Sequence, residues 1–291
     1  MARKLQSICW KSFVPDEAPR SRQARAAAEQ ALVRVVHHYG ARPEFVVLGG
    51  LVPELLCSGS AFQHAGTTHV DVQVNLEIAC GAVNTVRLEQ ALLNAEFQPD
   101  SNSIWRWRTV GSEGRAVVKF ELLADLDSAA AESTVRFQEC DRLGAANLRG
   151  TAYATRDVEV RRLTARIGGD ARTVEVNVTG LAGFLLAKLA AARYRRQLKD
   201  WYDIAFVLQH NDMGGPEAAA RAVLEKFGAD ARAFQTTLDD LHANFADRDA
   251  QGPQAYASQM LIDHPELERT TLLADAVVSV QAFYDEILAD S

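Results

Sequence analysis

The strongest constraint in this chain is a strand that must alternate its faces. It runs His69-Val70-Asp71-Val72-Gln73-Val74-Asn75 and follows an apolar stretch, Val47-Leu48, that ends in Gly49-Gly50. Successive side chains of a strand point to opposite sides. His69, Asp71, Gln73 and Asn75 therefore share one side, while Val70, Val72, Val74 and Leu76 share the other. The valine side reads as a buried face. A row of polar residues beside a Gly-Gly turn is hard to explain by packing alone. Glycines there leave room for backbone N–H groups to approach an anion.

The periodicity of the remainder predicts an α/β chain. Helices are expected over 24–39 (ending at Gly40), 51–57 and 85–95. Strands are expected over 44–48, 69–78, 104–110, 116–123, 133–137, 158–165 and 173–178. From Leu181 onward every segment reads helical. The expected organisation is a mixed-sheet α/β domain over 1–178, with residues 1–20 a flexible lead, followed by a helical domain over 179–291. No internal repeat is visible.

With 291 residues the chain can bury a full core. Its net charge of −7 gives no overall basic field, so any RNA must bind a local patch. Cys9, Cys57, Cys80 and Cys140 are widely spaced and form no CxxC, which fits a reducing cytoplasm better than a disulfide framework or zinc knuckle. No apolar run approaches the roughly 18 residues of a membrane span. Residues 1–23 lack the apolar run of a secretory signal.

Gly49-Gly50 followed by the polar strand resembles the nucleotidyltransferase superfamily, in which such a turn precedes an Asp-x-Asp strand. A second passage, Leu185-Leu186-Ala187-Lys188-Leu189-Ala190-Ala191 and then Lys199-Asp200-Trp201-Tyr202-Asp203-Ile204-Ala205, resembles the helix pair of the AbiEii family of abortive-infection and toxin–antitoxin toxins. The resemblance spans roughly residues 44–211. It implies transfer of a nucleotide from an NTP to an RNA, tRNA-like, or protein hydroxyl, with Mg²⁺ or Mn²⁺, in a cytoplasmic toxin with a cognate antitoxin. His69 and Asp71 stand where that superfamily has its carboxylate pair, so the pair reads His-x-Asp; the other register, Asp71-x-Gln73, also lacks one carboxylate. Imidazole suits magnesium less well than softer metals.

By the same resemblance Glu121, on the strand Val117–Leu123, is the third metal ligand beside His69 and Asp71. A carboxylate inside an apolar strand is costly unless paired or metal-bound. Its ordinary reading is an edge-strand Glu with a basic neighbour, and Asp125 and Asp127 are the alternatives. Lys188 falls on the apolar stripe of its helix with Phe184, Leu185, Ala191 and Ala192. It either snorkels to solvent or, as the resemblance implies, meets nucleotide phosphates. In the second case alanine at 188 should weaken nucleotide binding more than folding. Asp200 and Asp203 read as an N-capping pair or, by resemblance, as part of the cleft, with Asp200 the catalytic one. Gly49, Gly50, Thr67, Lys188, Arg195 and Lys199 are the implied nucleotide-binding residues. The cluster Arg193, Arg195, Arg196, Lys199 is either a solvated helix end or a phosphate and RNA site. Trp105-Arg106-Trp107-Arg108 reads as core tryptophans or base-stacking platforms.

Two functions follow, and His69 separates them. One is a metal-dependent nucleotidyltransferase acting through Asp71, Glu121, Lys188 and Asp200. The other is a degenerate fold that binds nucleotide, RNA or a protein partner without catalysis.

Overall fold

The computed structural model describes residues 20–74, 84–109, 117–137 and 139–289. Among these, nine strands form one mixed sheet: β1 (Val46–Leu48), β2 (His69–Gln73), β3 (Phe97–Asp100), β4 (Ser103–Thr109), β5 (Lys119–Ala124), β6 (Thr134–Arg136), β7 (Gly144–Asn147), β8 (Val158–Ile167) and β9 (Asp170–Thr179). The order is β3-β4-β5-β2-β1-β9-β8, with β7 joining the end of β5 and β6 pairing β7. The helices are α1 (Arg22–Tyr39), α2 (Val52–Leu56), α3 (Thr85–Asn94), α4 (Tyr153–Arg156), α5 (Leu181–Arg195), α6 (Leu198–His210), α7 (Pro216–Phe227), α8 (Ala231–Asn244), α9 (Gln251–Asp263) and α10 (Arg269–Ala289). The expected α/β class, with helices following the sheet, is what the chain adopts.

Local chemistry sets the boundaries. α1 starts at Arg22, two residues before the expected start, because the Ser21 hydroxyl accepts from the Ala24 N–H at 3.1 Å. It stops at Gly40, whose φ of 73° costs a glycine little. β2 ends at Gln73, so its expected continuation to Ile78 fails at Val74 and otherwise lies outside the described residues. β3 and β7 carry no strong strand signal: β3 contains Pro99, and β7 is Gly-Ala-Ala-Asn without a β-branched or aromatic residue. α6 begins at Leu198, with Gln197 as its N-cap. Asp200 and Asp203 therefore lie inside the helix, and the capping reading of this pair is corrected.

The two faces of β2 separate as the alternation requires. Val70 and Val72 are fully buried with Val47, Phe120 and Leu122 in the main core. Helix α1 packs over β8, β9 and α3. On the other face the register sets Asp71 beside Leu48 on β1 and Glu121 on β5, and Glu121 beside Arg106 on β4.

The passage from β9 to α5 is tightly fixed. Buried Asp157 accepts from the Gly183 N–H at 3.0 Å, in the first turn of α5. A β-carbon at Gly180 would sit 2.5 Å from that carboxylate. This joint aims α5, and Lys188 with it. Cys57 and Cys140 are buried and free. Among the described residues no helix is long and apolar enough to cross a membrane.

Candidate active site

Gly49 sits where β1 turns into the 3-10 turn Gly49–Leu51. Its φ is 75°, and a β-carbon there would overlap the Asp71 carboxylate. Gly50 is similarly crowded, since its β-carbon would lie 2.9 Å from Thr67 Cβ. Thr67 Oγ1 in turn accepts from the His69 N–H at 3.0 Å, fixing the start of β2. The Gly-Gly turn, Thr67 and the polar strand thus form one close-packed unit.

His69, Asp71 and Glu121 converge on the polar side of the sheet, with one ligand atom of each within 4.8 Å of the others. His69 Nδ1 is 3.5 Å from Glu121 Oε2. Arg106 Nε donates to Glu121 Oε1 at 2.6 Å. Burial and the neighbouring Glu121 charge push the Asp71 carboxyl up to about 6. Burial would raise Glu121 too, but the His69 hydrogen bond and charge, with the Arg106 guanidinium, outweigh it and hold Glu121 low. Like charges this close disfavour ionising both carboxyls, and Asp71 is the one raised.

A second cluster lies against the first. Lys188, 7% exposed, donates to Asp200 Oδ1 at 3.0 Å and pairs with Asp203 Oδ2 at 2.7 Å. Both aspartates are fully buried. Arg195 donates to Asp200 at 2.8 Å. Arg20 grips Asp203 with two nitrogens, at 2.7 and 3.2 Å. His64 Nε2 lies 2.9 Å from the same carboxylate. Burial opposes ionisation throughout, yet Arg20, Lys188 and His64 hold the Asp203 carboxyl well below its usual range, and Asp203 and Asp200 raise Lys188. The positive charges of Lys188 and Arg195 reach Asp71, so the two clusters act on each other.

Lys188 therefore does not snorkel; its ammonium turns inward to two carboxylates. Lys199 is half-buried, and its charge is felt by Asp200. Arg196 instead pairs with Asp240 at 2.8 Å. The alternatives Asp125 and Asp127 are not brought into the cluster: Asp125 accepts from the Gly150 and Ala152 N–H groups, and Asp127 is exposed beside Arg149. Trp107 is buried in the core, and the Arg106 guanidinium lies 4.6 Å from the Trp105 ring centre. His64 and Arg20 carry no signal in the sequence, and Arg106 enters there within the Trp105–Arg108 alternation, not as a partner of Glu121.

Among the described residues, four buried polar atoms around the clusters have no partner: His69 Nε2, Gln73 Oε1, Asp200 Oδ2 and Arg195 Nε. Buried polar atoms are normally satisfied, so these mark room for a further group. A divalent cation fits the donor set of two carboxylates and one imidazole, which is hard enough for Mg²⁺ and better suited to Mn²⁺ or a softer ion. A broad surface depression of about 710 Å³, lined by residues such as Ser58, Phe62, His210 and Asp212, shares none of these residues. The convergence of charged groups, rather than the larger hollow, marks the site.

The mixed sheet presses a Gly-Gly turn against a carboxylate and imidazole cluster, and a helix pair carrying a buried lysine stands beside it. Residues 147–284 match the family model of the nucleotidyl transferase AbiEii toxin of type IV toxin–antitoxin systems. That stretch holds Lys188, Arg195, Lys199, Asp200 and Asp203 and begins after Gly49, Asp71 and Glu121. The resemblance read over 44–211 is thus matched in its later part and extended toward the C-terminus. No curated protein matches the chain.

Proposed function

We propose that this chain transfers a nucleotide from an NTP to a hydroxyl of RNA, tRNA-like in the first instance, or of protein, as the cytoplasmic toxin of a pair with a cognate antitoxin. The observation that carries the reading is the convergence of His69, Asp71 and Glu121 within 4.8 Å, opposite Lys188 and Arg195. In the reaction the acceptor oxygen bonds to the α-phosphorus, pyrophosphate leaves and the hydroxyl proton is released. His69, Asp71 and Glu121 would hold Mg²⁺ or Mn²⁺, which when bound supplies positive charge to the reacting phosphate oxygens. Gly49 and Gly50, which lack side chains, let the turn pack directly against Asp71 and Thr67, and their backbone N–H groups would meet the triphosphate. Lys188 and Arg195, kept cationic by Asp200 and Asp203, offset its charge. Lys199 extends the basic side. In this reading the sheet unit up to residue 178 holds the cation and the helices from 179 position the counter-charges.

The second reading, a non-catalytic nucleotide- or RNA-binding protein, is favoured by His69 in place of a carboxylate and by the complete engagement of Lys188 with Asp200 and Asp203. One experiment separates the two. The purified protein is incubated with each labelled NTP, with Mg²⁺ or Mn²⁺ and total RNA. Labelled RNA or self-labelled protein, lost in Asp71→Asn, supports transfer. Binding without label with every NTP and either metal supports the second reading.

A further inference from the structure

His64 lies five residues before the polar strand, is fully buried and, though bonded to Asp203, has no role in the transfer reaction above. Its two ring nitrogens have distinct partners. The Gly66 N–H donates to Nδ1 at 3.2 Å, so Nδ1 carries a lone pair. The proton of the neutral ring is therefore on Nε2, which donates to Asp203 Oδ1 at 2.9 Å. The next residue is held to the same helix, because the Ala65 N–H donates to the Tyr202 hydroxyl at 3.0 Å. The His64 ring also stacks on Tyr202, with centroids 5.0 Å apart. Segment 64–66 is thus fastened to α6 immediately before Thr67 and His69. The carboxylate that receives His64 also holds Lys188, at 2.7 Å.

We propose that His64 is a positioning residue that sets the distance between the Lys188–Asp203 pair on the helices and the His69–Asp71–Glu121 cluster on the sheet. It ties the segment that leads into β2 to the carboxylate that orients the lysine. Burial keeps the ring neutral against the pull of Asp203, with Arg20 and Lys188 acting in the same sense as burial. The bridge is therefore a fixed neutral tautomer rather than a third cation. Partners that orient the groups of a metal site commonly change its affinity or activity 10–100-fold when removed.

The inference deepens the nucleotidyl-transfer reading, and its test does not depend on turnover. The two bonds can be cut separately. His64→Gln keeps a donor at the Nε2 position and loses the acceptor for Gly66. His64→Asn keeps the acceptor and loses the donor to Asp203. His64→Ala loses both. Mn²⁺ affinity and amide hydrogen exchange across residues 62–70 are measured for each on the full chain. Folded His64→Ala is expected to bind Mn²⁺ at least about tenfold more weakly and to exchange at 65–69 at least about tenfold faster. His64→Gln should recover most of the Mn²⁺ affinity, and His64→Asn should not. Should His64→Ala not fold, the Gln and Asn variants decide. Mn²⁺ affinity within twofold of the parent in folded His64→Ala, or equal losses in Gln and Asn, would overturn the proposal. A parent protein that binds no Mn²⁺ refutes the metal centre instead; unchanged exchange at 65–69 then overturns the role of His64, and faster exchange sustains its fastening.

Discussion

Replacing Lys188 by alanine should damage the fold as well as nucleotide binding, contrary to what the helix stripe alone suggests. Lys188 lies between two fully buried aspartates, at 3.0 and 2.7 Å. Breaking a buried ion pair from one side costs about 3–5 kcal/mol, because the remaining charge is stranded away from water. Here Arg195 still holds Asp200 and Arg20 still holds Asp203. The estimate therefore falls at the lower end, about 3 kcal/mol. Alanine's good helix propensity recovers only a few tenths of that. For a chain of this size the loss corresponds to a fall of about 6–12 °C in Tm, at about 2–4 °C per kcal/mol. Urea unfolding of the parent, Lys188→Ala, Asp203→Ala and the double variant measures it. The double variant should recover part of the sum, since the two residues share one network. A loss below about 1 kcal/mol, or strict additivity, would refute the claim that this lysine neutralises a buried pair.

Asp71→Asn should abolish metal-dependent transfer, and its stability should show why the carboxylate is kept. The folded carboxyl titrates near 6 against an ordinary value of 3.8. Its stabilising contribution is therefore complete below about pH 3.8 and lost as pH rises through 6. In chelator the Asn variant should match the parent near pH 4 and exceed it in Tm above pH 6; equal Tm at pH 8 would contradict this. Gly49→Ala should lower Tm by a few degrees, since a left-handed alanine costs about 1–2 kcal/mol, and displace Asp71 enough to weaken Mn²⁺ binding tenfold or more; calorimetric titration giving the parent's affinity would sink the close-packing argument. His69→Asp should tighten Mg²⁺ binding and shift metal preference from Mn²⁺ toward Mg²⁺; a two-by-two titration showing no change in the ratio would exclude His69 as a ligand.

The face-by-face reading of β2 was open in the sequence because alternation is rigid: once Val70 and Val72 are inside, His69 and Asp71 have one place to be. The pairing of Glu121 with Asp71 was legible only as a resemblance, because strand register is set by partners distant in the chain. Arg106 follows from that same register, and its role could not be read before β4 was known to lie beside β5. His64 and Arg20 left no local signal at all, since each acquires meaning from Asp203, 139 and 183 residues away. The helix stripe correctly marked Lys188 as inward-facing. It could not show that α6 would supply both carboxylates, because Asp200 and Asp203 read equally well as an N-capping pair.

The tight joint between β9 and α5 makes the intervening chain a ruler. Gly183 is clamped by Asp157, and Lys188 follows five residues later, about 7.5 Å along the axis at about 1.5 Å per residue. One residue added between them would swing the ammonium by about 100° around the helix, away from both aspartates. This stretch should tolerate no change in length. The β8–β9 hairpin is its opposite: among the described residues, no atom lies within 4 Å of the would-be β-carbons of Gly168 and Gly169 at its tip. Foreign sequence inserted there would extend into open space, making that tip the natural handle for a tag or a fluorophore on a chain whose working parts are set by length.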